Sequence, residues 1–229
     1  MPTNPWAKID FGGYGRAKQS RRDFSEEELR QLFSLDMPKQ DRLLLAILAS
    51  TGARLGEIAL LTWNQVYEGE TQKGEVVHWL DTTQAIVKNE ASRRLIPIVP
   101  EVWVMIYAHK VYRNVKEAER IFSYSKDKDG KAENNASRDV MPHLRKIRKD
   151  PTFVIHSLLH TFTTLCRDAG VDWELRDFVM GRGGRGEGSK YGQPAHVKKQ
   201  LDEINQVDYS FLQGNLAVTS TASNQAHPK

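Results

Sequence analysis

An arginine and a glutamate three residues apart, Arg54 and Glu57, have a spacing that could support chemistry. They follow Gly52, which ends an apolar run, and they open a segment with apolar residues at helical spacing. This pattern predicts that both side chains lie near the first turn of a helix and share one face. One interpretation is a surface ion pair without function. The other is an arginine held beside exposed backbone N–H groups, where it could bind a phosphate.

The composition is that of an ordinary globular chain, with 229 residues, 39% of them hydrophobic and 27% charged. Such a chain can bury a sizeable core, and we expect one compact domain with ragged ends. No apolar run reaches the roughly 20 residues of a membrane span, and the N-terminus lacks a secretory pattern. The single cysteine, Cys166, excludes an internal disulfide and a cysteine cluster for zinc, and it fits a reducing cytoplasm.

The charge distribution is more informative than the formal net charge of +4, which is only weak evidence for a nucleic-acid partner. Basic residues cluster between residues 16 and 22 and again between residues 138 and 149. A basic cluster on a helix is by default a solvated face, although it is also the kind of surface that contacts phosphates.

The elements that must position Arg54 are mostly helical. Helices are predicted from a capping box at Ser25, at 43–49, from Arg54 to 62–64, from Pro100, around 140–147, from Asp172 to 181 and over 195–207. The stretch 153–162 is predicted to run into a further helix that Gly170 ends. Pro142 fits its helix only if it lies in the first turn. Three short strands, at 76–80, 85–88 and 94–98, predict an antiparallel sheet. The predicted fold class is therefore mixed, mainly α-helical with a small three-stranded antiparallel sheet.

In this order the motifs resemble the catalytic domain of the tyrosine recombinases, the phage-integrase family. The motifs are Thr-Gly-x-Arg-x-x-Glu at 51–57, a three-stranded insert carrying Lys88, His-x-Leu-x-His-Thr-Phe at 156–162, Met-Gly at 180–181 and Tyr-Gly at 191–192. Each motif is weak alone, but their shared order and spacing make chance agreement improbable. The resemblance implies the tyrosine-recombinase catalytic-domain fold over residues 24–210.

The family's anatomy also implies how the ends of the chain are organised. Residues 1–23 are expected to be a linker remnant from a missing N-terminal core-binding domain. Residues 211–229 are expected to be a flexible C-terminal tail, and the glycine-rich stretch 181–192 a flexible loop.

The resemblance implies DNA strand cleavage and rejoining through a 3′-phosphotyrosyl intermediate, without metal or nucleotide cofactor. Tyr191 matches the nucleophile, and Arg54 matches the first arginine that clamps the phosphate. Lys88 matches the lysine that protonates the leaving oxygen, and His156 a proton-transfer or phosphate-bonding histidine. Glu57 matches an acid that orients the arginine.

Without the shared order of motifs, each of these residues has an ordinary interpretation. A tyrosine such as Tyr191 is by default a partly packed surface residue, and Lys88 a solvated strand-end lysine. His156 is by default a hydrogen-bonded core histidine. Tyr209 is expected to serve packing only, and His160 stays undecided between a buried hydrogen-bonding role and one in the site.

Two positions depart from the family pattern. The second box ends in Leu159 where the family has its second clamp arginine, and Arg182 follows Met-Gly where most members have histidine or tryptophan. Losing one well-aimed transition-state donor costs about 100- to 1,000-fold in rate, or about 3 to 4 kcal/mol. Three accounts compete: Arg182 supplies the missing guanidinium, the enzyme has decayed, or Leu159 was introduced to disable it.

The resemblance also implies the partners. We expect double-stranded DNA, a homo-tetramer on DNA in the active form, no membrane, and a cytoplasmic site in a bacterial or phage-infected cell. The leading hypothesis is a site-specific recombinase with weakened activity. The alternatives are a catalytically inactive DNA-binding remnant of an integrase and, ranked lower, a relaxing activity like that of type IB topoisomerases.

Overall fold

The computed structural model describes residues 22–83, 93–113, 116, 118–182 and 194–213. Within these residues the chain forms eight α-helices and three β-strands. The helices are α1 (Glu26–Ser34), α2 (Lys39–Thr51), α3 (Leu55–Ile58), α4 (Pro100–Arg113), α5 (Glu133–Ile147), α6 (Ser157–Asp168), α7 (Trp173–Val179) and α8 (Pro194–Ile204). The strands are β1 (Val66–Glu70), β2 (Val76–Asp81) and β3 (Leu95–Pro97). Short 3-10 helices span Trp63–Gln65 and Ser210–Gln213.

Some of the segments predicted from the sequence lie outside these ranges. They are most of the linker 1–23, the strand at 85–88, the glycine-rich stretch beyond Arg182 and the tail beyond Gln213. At the start of that predicted tail, Phe211 and Leu212 are buried, and Phe211 packs against Phe33 of α1. The expected packing role of Tyr209 agrees with its burial.

The predicted fold class is confirmed, because the molecule is mainly helical with a small antiparallel sheet. The sheet order is β1-β2-β3, with Val66 opposite Leu80 and Leu80 opposite Ile96. Strand β1 was not predicted: its residues Val66–Glu70 carry two acids and a glycine and do not alternate between apolar and polar. The strand pairs with β2 along its whole length, and Tyr67 stacks on Trp79 of β2 at 5.7 Å between ring centroids.

Helix α2 lies at the centre of the core. Its residues from Leu43 to Thr51 are all buried, and it packs against α4 and α6. A helix that is apolar on all sides needs cover on all sides. The sequence prediction of a buried helix at 43–49 is confirmed.

Two predicted helix boundaries are wrong. Helix α3 ends at Ile58, because a turn and a 3-10 helix then lead into β1. Helix α5 begins at Glu133, so Pro142 lies well inside it and not in its first turn. The buried positions Ala136, Val140 and Leu144 recur every four residues, and this packing outweighs the backbone hydrogen bond that the proline removes.

A buried hydrogen-bond network fixes α5 against α2. The Tyr124 hydroxyl donates to Oδ1 of Asp41 at 2.7 Å, and Nε2 of His143 lies 2.9 Å from Oδ2 of the same carboxylate. Burial, followed by the hydrogen bond to Asp41, raises the pKa of Tyr124, so its hydroxyl stays protonated and can donate.

The network predicts a measurable loss of stability in Tyr124→Phe. The variant leaves one oxygen of a buried carboxylate without its donor, which should cost about 1.5 to 3 kcal/mol in the free energy of unfolding. Urea denaturation followed by circular dichroism measures this change. Tyr107→Phe is the matched control, because Tyr107 is exposed and its variant should stay within about 0.5 kcal/mol of the parent protein. Equal stability of the two variants would contradict the role of the network.

Candidate active site

The turn between α2 and α3 brings three elements of the site into contact. Gly52 has a φ of +59°, which L side chains rarely adopt. A Cβ at this position would lie 2.6 Å from Cδ1 of Phe162 in α6 and 3.0 Å from Cγ of Met180 after α7. Glycine is therefore required both for the turn and for the close approach of α6 and α7 to the end of α2.

Arg54 and Glu57 form a two-point contact across the first turn of α3. The backbone N–H of Arg54 donates to Oε2 of Glu57 at 3.1 Å, and Nη1 donates to Oε1 at 2.8 Å. The Glu57 side chain is 5% exposed, whereas the Arg54 side chain is 35% exposed. The pair is thus not a simple surface ion pair: a buried carboxylate holds a guanidinium that still reaches solvent.

A second arginine, Arg94, binds the same carboxylate from the interior. Its Nη2 donates to Oε2 of Glu57 at 3.2 Å, and its Nε donates to the carbonyl of Val179 at 2.7 Å. Burial lowers the pKa of Arg94 and Glu57 raises it, but a guanidinium stays charged at neutral pH. Sequence analysis did not select Arg94; the available signal was a charged residue entering an otherwise apolar strand.

Arg54, His156 and Leu159 line one cavity of about 350 Å³ between α2, α3, α5 and α6. The other lining residues are Leu48, Ala53, Leu55, Ser137, Met141, Val154 and Ile155. The structure therefore brings the arginine of the first motif together with the histidine of the second. It also places Leu159 in the wall of that cavity, where it contributes no charge.

His156 precedes the first turn of α6 and is exposed. The interpretation as a core histidine is wrong, because the turn at 154–157 points this residue outward while its neighbours Ile155 and Ser157 are buried. Its ring meets the ring of His160 edge-on, at 5.3 Å between centroids. His160 is half-buried, and its role stays undecided.

The backbone at Arg182 is fixed by the end of α7. Gly181 has a φ of +69°, its N–H donates to the carbonyl of Phe178, and the Arg182 N–H donates to the carbonyl of Asp177 at 2.7 Å. This is a Schellman motif, which holds the residue after the glycine in a defined position. Burial lowers the pKa of Arg182, Asp177 raises it, and the charge of Arg54 lowers it. Arg182 and Arg54 are thus within electrostatic range of each other.

Two of the predicted site residues, Lys88 and Tyr191, lie outside the described residues. Their positions relative to Arg54 and His156 stay predictions. In the part of the chain that the structure describes, no group of three His, Cys, Asp or Glu side chains could hold a metal ion, and no helix is long and apolar enough to cross a membrane.

Several solved structures have a fold similar to that of this chain. The integrase of mycobacterium phage Brujita superimposes with a TM-score of 0.58 at 15% identity, over 85% of this chain and 60% of the integrase. The chain has the fold of a tyrosine-recombinase catalytic domain. XerA recombinase matches with a TM-score of 0.53 at 14% identity, over 96% of this chain and 70% of that protein.

A third relative of this recombinase fold is the Tn1549 transposon integrase, solved in complex with transposon right end DNA. It matches with a TM-score of 0.53 at 16% identity, over 97% of this chain and 72% of the integrase. The sequence matches no protein-family model and no curated protein. The TM-scores of 0.53 to 0.58 establish the recombinase fold. Because the identities are only 14 to 16%, the activity has to be argued from the site.

The close approach at Gly52 predicts that Gly52→Ala is strongly destabilising. The methyl group would meet Phe162 and also strain the left-handed backbone, at a combined cost of about 2 to 4 kcal/mol in unfolding free energy. Gly130→Ala is the matched control, since Gly130 also has a positive φ, but a methyl group there would meet no atom within 4 Å. Urea midpoints should therefore fall much further for Gly52→Ala, and equal shifts would show that packing contributes nothing.

Proposed function

We propose that this chain is the catalytic domain of a site-specific DNA recombinase or integrase that cuts and rejoins DNA through a 3′-phosphotyrosyl intermediate. The observation that carries the proposal is the convergence of Arg54 and His156 on one cavity, although the two residues belong to motifs far apart in the sequence. The recombinase fold supports it, and so does the influence of the Arg54 charge on the pKa of Arg182, which indicates that the two guanidinium groups are near each other.

The reaction assigns one role to each side chain. The phenolic oxygen of Tyr191 attacks a backbone phosphorus while its proton passes to a base such as His156 or to water, and the bond from phosphorus to the 5′ oxygen breaks. Lys88 gives a proton to the departing 5′ oxygen, and His156 takes part in proton transfer or bonds the phosphate. Rejoining reverses these steps, with a DNA 5′ hydroxyl displacing Tyr191, so no outside energy source is consumed.

Arg54 is the residue best suited to stabilise the transition state. Charge spreads over the equatorial phosphate oxygens during transfer, and a donor fixed beforehand loses little by reorganising. Glu57 provides that fixation through two hydrogen bonds, and Arg54 lines the same cavity as His156. The N-terminus of α6, which His156 precedes, adds a partial positive charge toward an anion.

Leu159 weakens this site. Its side chain lines the cavity where a second guanidinium would serve, and an apolar wall offers the phosphate nothing. Arg182 is the candidate replacement, because it follows the end of α7 and its pKa is lowered in part by the charge of Arg54. We therefore expect an active but slow enzyme, with Arg54, Lys88, His156, Arg182 and Tyr191 as its catalytic set.

Double-stranded DNA is the proposed partner, and a homo-tetramer on DNA is the proposed active form. The structurally similar Tn1549 integrase was solved with transposon right end DNA. Lys146 at the end of α5 and Lys149 just after it are exposed and suit phosphate contacts, which would make binding fall steeply with salt. We place the protein in the cytoplasm of a bacterial or phage-infected cell.

The second candidate function is a catalytically inactive DNA-binding remnant. The largely apolar lining of the cavity around Leu159 favours it, because an apolar wall gives a charged phosphate no hydrogen-bond donors. In this case the fold would occupy DNA sites, and no covalent intermediate would form.

Covalent trapping separates the two functions. The protein is incubated with nicked duplex DNA carrying candidate attachment sequences from the flanks of its own gene, and SDS-resistant, protease-sensitive adducts are measured. A recombinase should form an adduct that disappears in Tyr191→Phe. Tyr209→Phe is the matched control and should keep the adduct, because the Tyr209 ring is buried and donates no hydrogen bond among the described residues. An adduct that survives in Tyr191→Phe would exclude Tyr191 as the nucleophile.

Leu159→Arg should raise the rate of adduct formation by about 10- to 1,000-fold, since it restores a guanidinium at a cavity with room for it. The matched control is Leu159→Met, which fills similar volume without charge and should change the rate little.

If Arg182 substitutes for the missing clamp, Arg182→Ala should lower the rate more in the parent protein than in Leu159→Arg. Equal losses in both backgrounds would contradict that substitution, and no gain in Leu159→Arg would favour the inactive remnant.

A further inference from the structure

Arg94 is the most deeply buried charged residue in the part of the chain that the structure describes, with a side chain that is 1% exposed. An arginine side chain removed from water needs hydrogen-bond acceptors and a countercharge, or its burial becomes very costly. Two acceptors of Arg94 among the described residues come from separate elements, and both elements lead to residues of the candidate site.

The first acceptor links Arg94 to the phosphate clamp. Oε2 of Glu57 accepts from Nη2 of Arg94 at 3.2 Å and from the backbone N–H of Arg54 at 3.1 Å, while Oε1 accepts from Nη1 of Arg54 at 2.8 Å. The carboxylate therefore lies between two guanidinium groups. Arg94 holds it from the interior, and this sets the direction in which it presents Arg54.

The second acceptor links Arg94 to the end of α7. The carbonyl of Val179 accepts from Nε of Arg94 at 2.7 Å, and Arg182 follows only three residues later. Because the Schellman motif at Gly181 fixes the intervening backbone, the position of Val179 determines where Arg182 begins.

The backbone of Arg94 joins a third segment. The N–H of Thr82 donates to the carbonyl of Arg94 at 3.0 Å, and the N–H of Arg94 donates to Oγ1 of Thr82 at 3.2 Å. These bonds fix the backbone of Arg94 against the residue that follows β2.

We propose that Arg94 is a positioning residue of the recombinase site, which aligns the clamp Arg54 with the end of α7 that carries Arg182. The effect of Arg94 on catalysis rests on the proposed function, whereas its effect on the position of Arg54 rests on the contacts of Arg94 alone. Arg94 does not touch DNA, because it is buried. It acts through Glu57 and Val179.

The shape of the arginine side chain is essential to this role. Its planar fork directs Nε and Nη2 at two acceptors on different elements. A lysine keeps the charge but offers one ammonium on a flexible chain, which cannot serve both acceptors in the same geometry. Arg94→Lys therefore tests the alignment while Glu57 retains a countercharge.

The first arm of the test measures Arg54 directly and needs no DNA. In ¹⁵N-labelled protein, the guanidinium resonance of Arg54 is assigned by its loss in Arg54→Gln, and its hydrogen exchange with water is followed by NMR. We expect exchange at least about 10-fold faster in Arg94→Lys, because the carboxylate that restrains Arg54 is released. An unchanged Arg54 resonance and exchange rate would overturn the proposal.

Arg42→Lys is the matched control for this arm. Like Arg94, Arg42 donates to two acceptors, the carbonyls of Phe33 and Leu35. It is half-buried and lies at the junction of α1 and α2, away from Arg54 in the sequence. Its substitution should leave the Arg54 resonance unchanged. A similar change in both variants would show a general loss of stability and would count against a specific role of Arg94.

The second arm measures DNA cleavage in the parent protein, or in Leu159→Arg if that variant is the faster one. Arg94→Lys should lower the adduct rate at saturating DNA by about 10- to 100-fold and leave the half-saturating DNA concentration within about threefold, since misplacing a catalytic group by about 1 Å can cost 100-fold. An unchanged rate would overturn the catalytic meaning of the proposal. If neither background cleaves DNA, the proposed function fails, and the NMR arm still decides whether Arg94 positions Arg54.

If circular dichroism shows that Arg94→Lys does not fold, Glu57→Gln replaces it. This variant keeps Arg94 and the shape of the side chain at position 57, but the neutral amide cannot hold both guanidinium groups. The same acceleration of Arg54 exchange is expected, and an unchanged rate would overturn the proposal.

Discussion

The buried carboxylate of Glu57 is the interaction on which the geometry of the site depends. It lies between Arg54, which is partly exposed, and Arg94, which is fully buried. A carboxylate out of water tolerates few arrangements, because any lost donor leaves an uncompensated charge. A surface ion pair would let Arg54 swing among rotamers, whereas this one holds the guanidinium in a defined direction before a phosphate arrives. Such preorganisation is what transition-state stabilisation requires.

The rest of the fold serves that arrangement by bringing distant segments close. The central helix α2 ends at Gly52, and the absence of a side chain there lets α6 and the end of α7 approach the turn that carries Arg54. The same approach sets His156 at the cavity and Arg182 near Arg54. Tight packing at Gly52 and the buried ion pair of Glu57 thus both restrain the turn between α2 and α3. A core that must be close-packed cannot shift one element without moving the others.

The sequence predicted the fold class and the central helix, because helical periodicity depends on neighbouring residues. That Arg54 and His156 share a site was implied only by the family resemblance, and the structure places both in the lining of one cavity. It did not predict β1, whose pairing depends on Trp79 in the next strand. It also missed the burial of Arg94, since the partners Glu57 and Val179 lie 37 and 85 residues away. The boundary of α5 failed for a similar reason: the packing of Ala136 outweighs the local penalty of the proline. Local patterns thus identified the elements, and long-range contacts decided their ends and their buried charges.

Leu159 gives the site an internal contrast that follows from its chemistry. Behind Arg54, which lines the cavity, Glu57 and Arg94 supply the support that a single guanidinium needs. In the same lining, Leu159 offers only apolar surface where a second guanidinium would share the phosphate charge. Supporting a clamp so firmly has a cost in buried charge, and that cost is useful only if the clamp still acts on an anion. The support that Glu57 and Arg94 give to Arg54 therefore agrees with the proposal that Arg54 binds a phosphate, whatever rate the missing guanidinium permits.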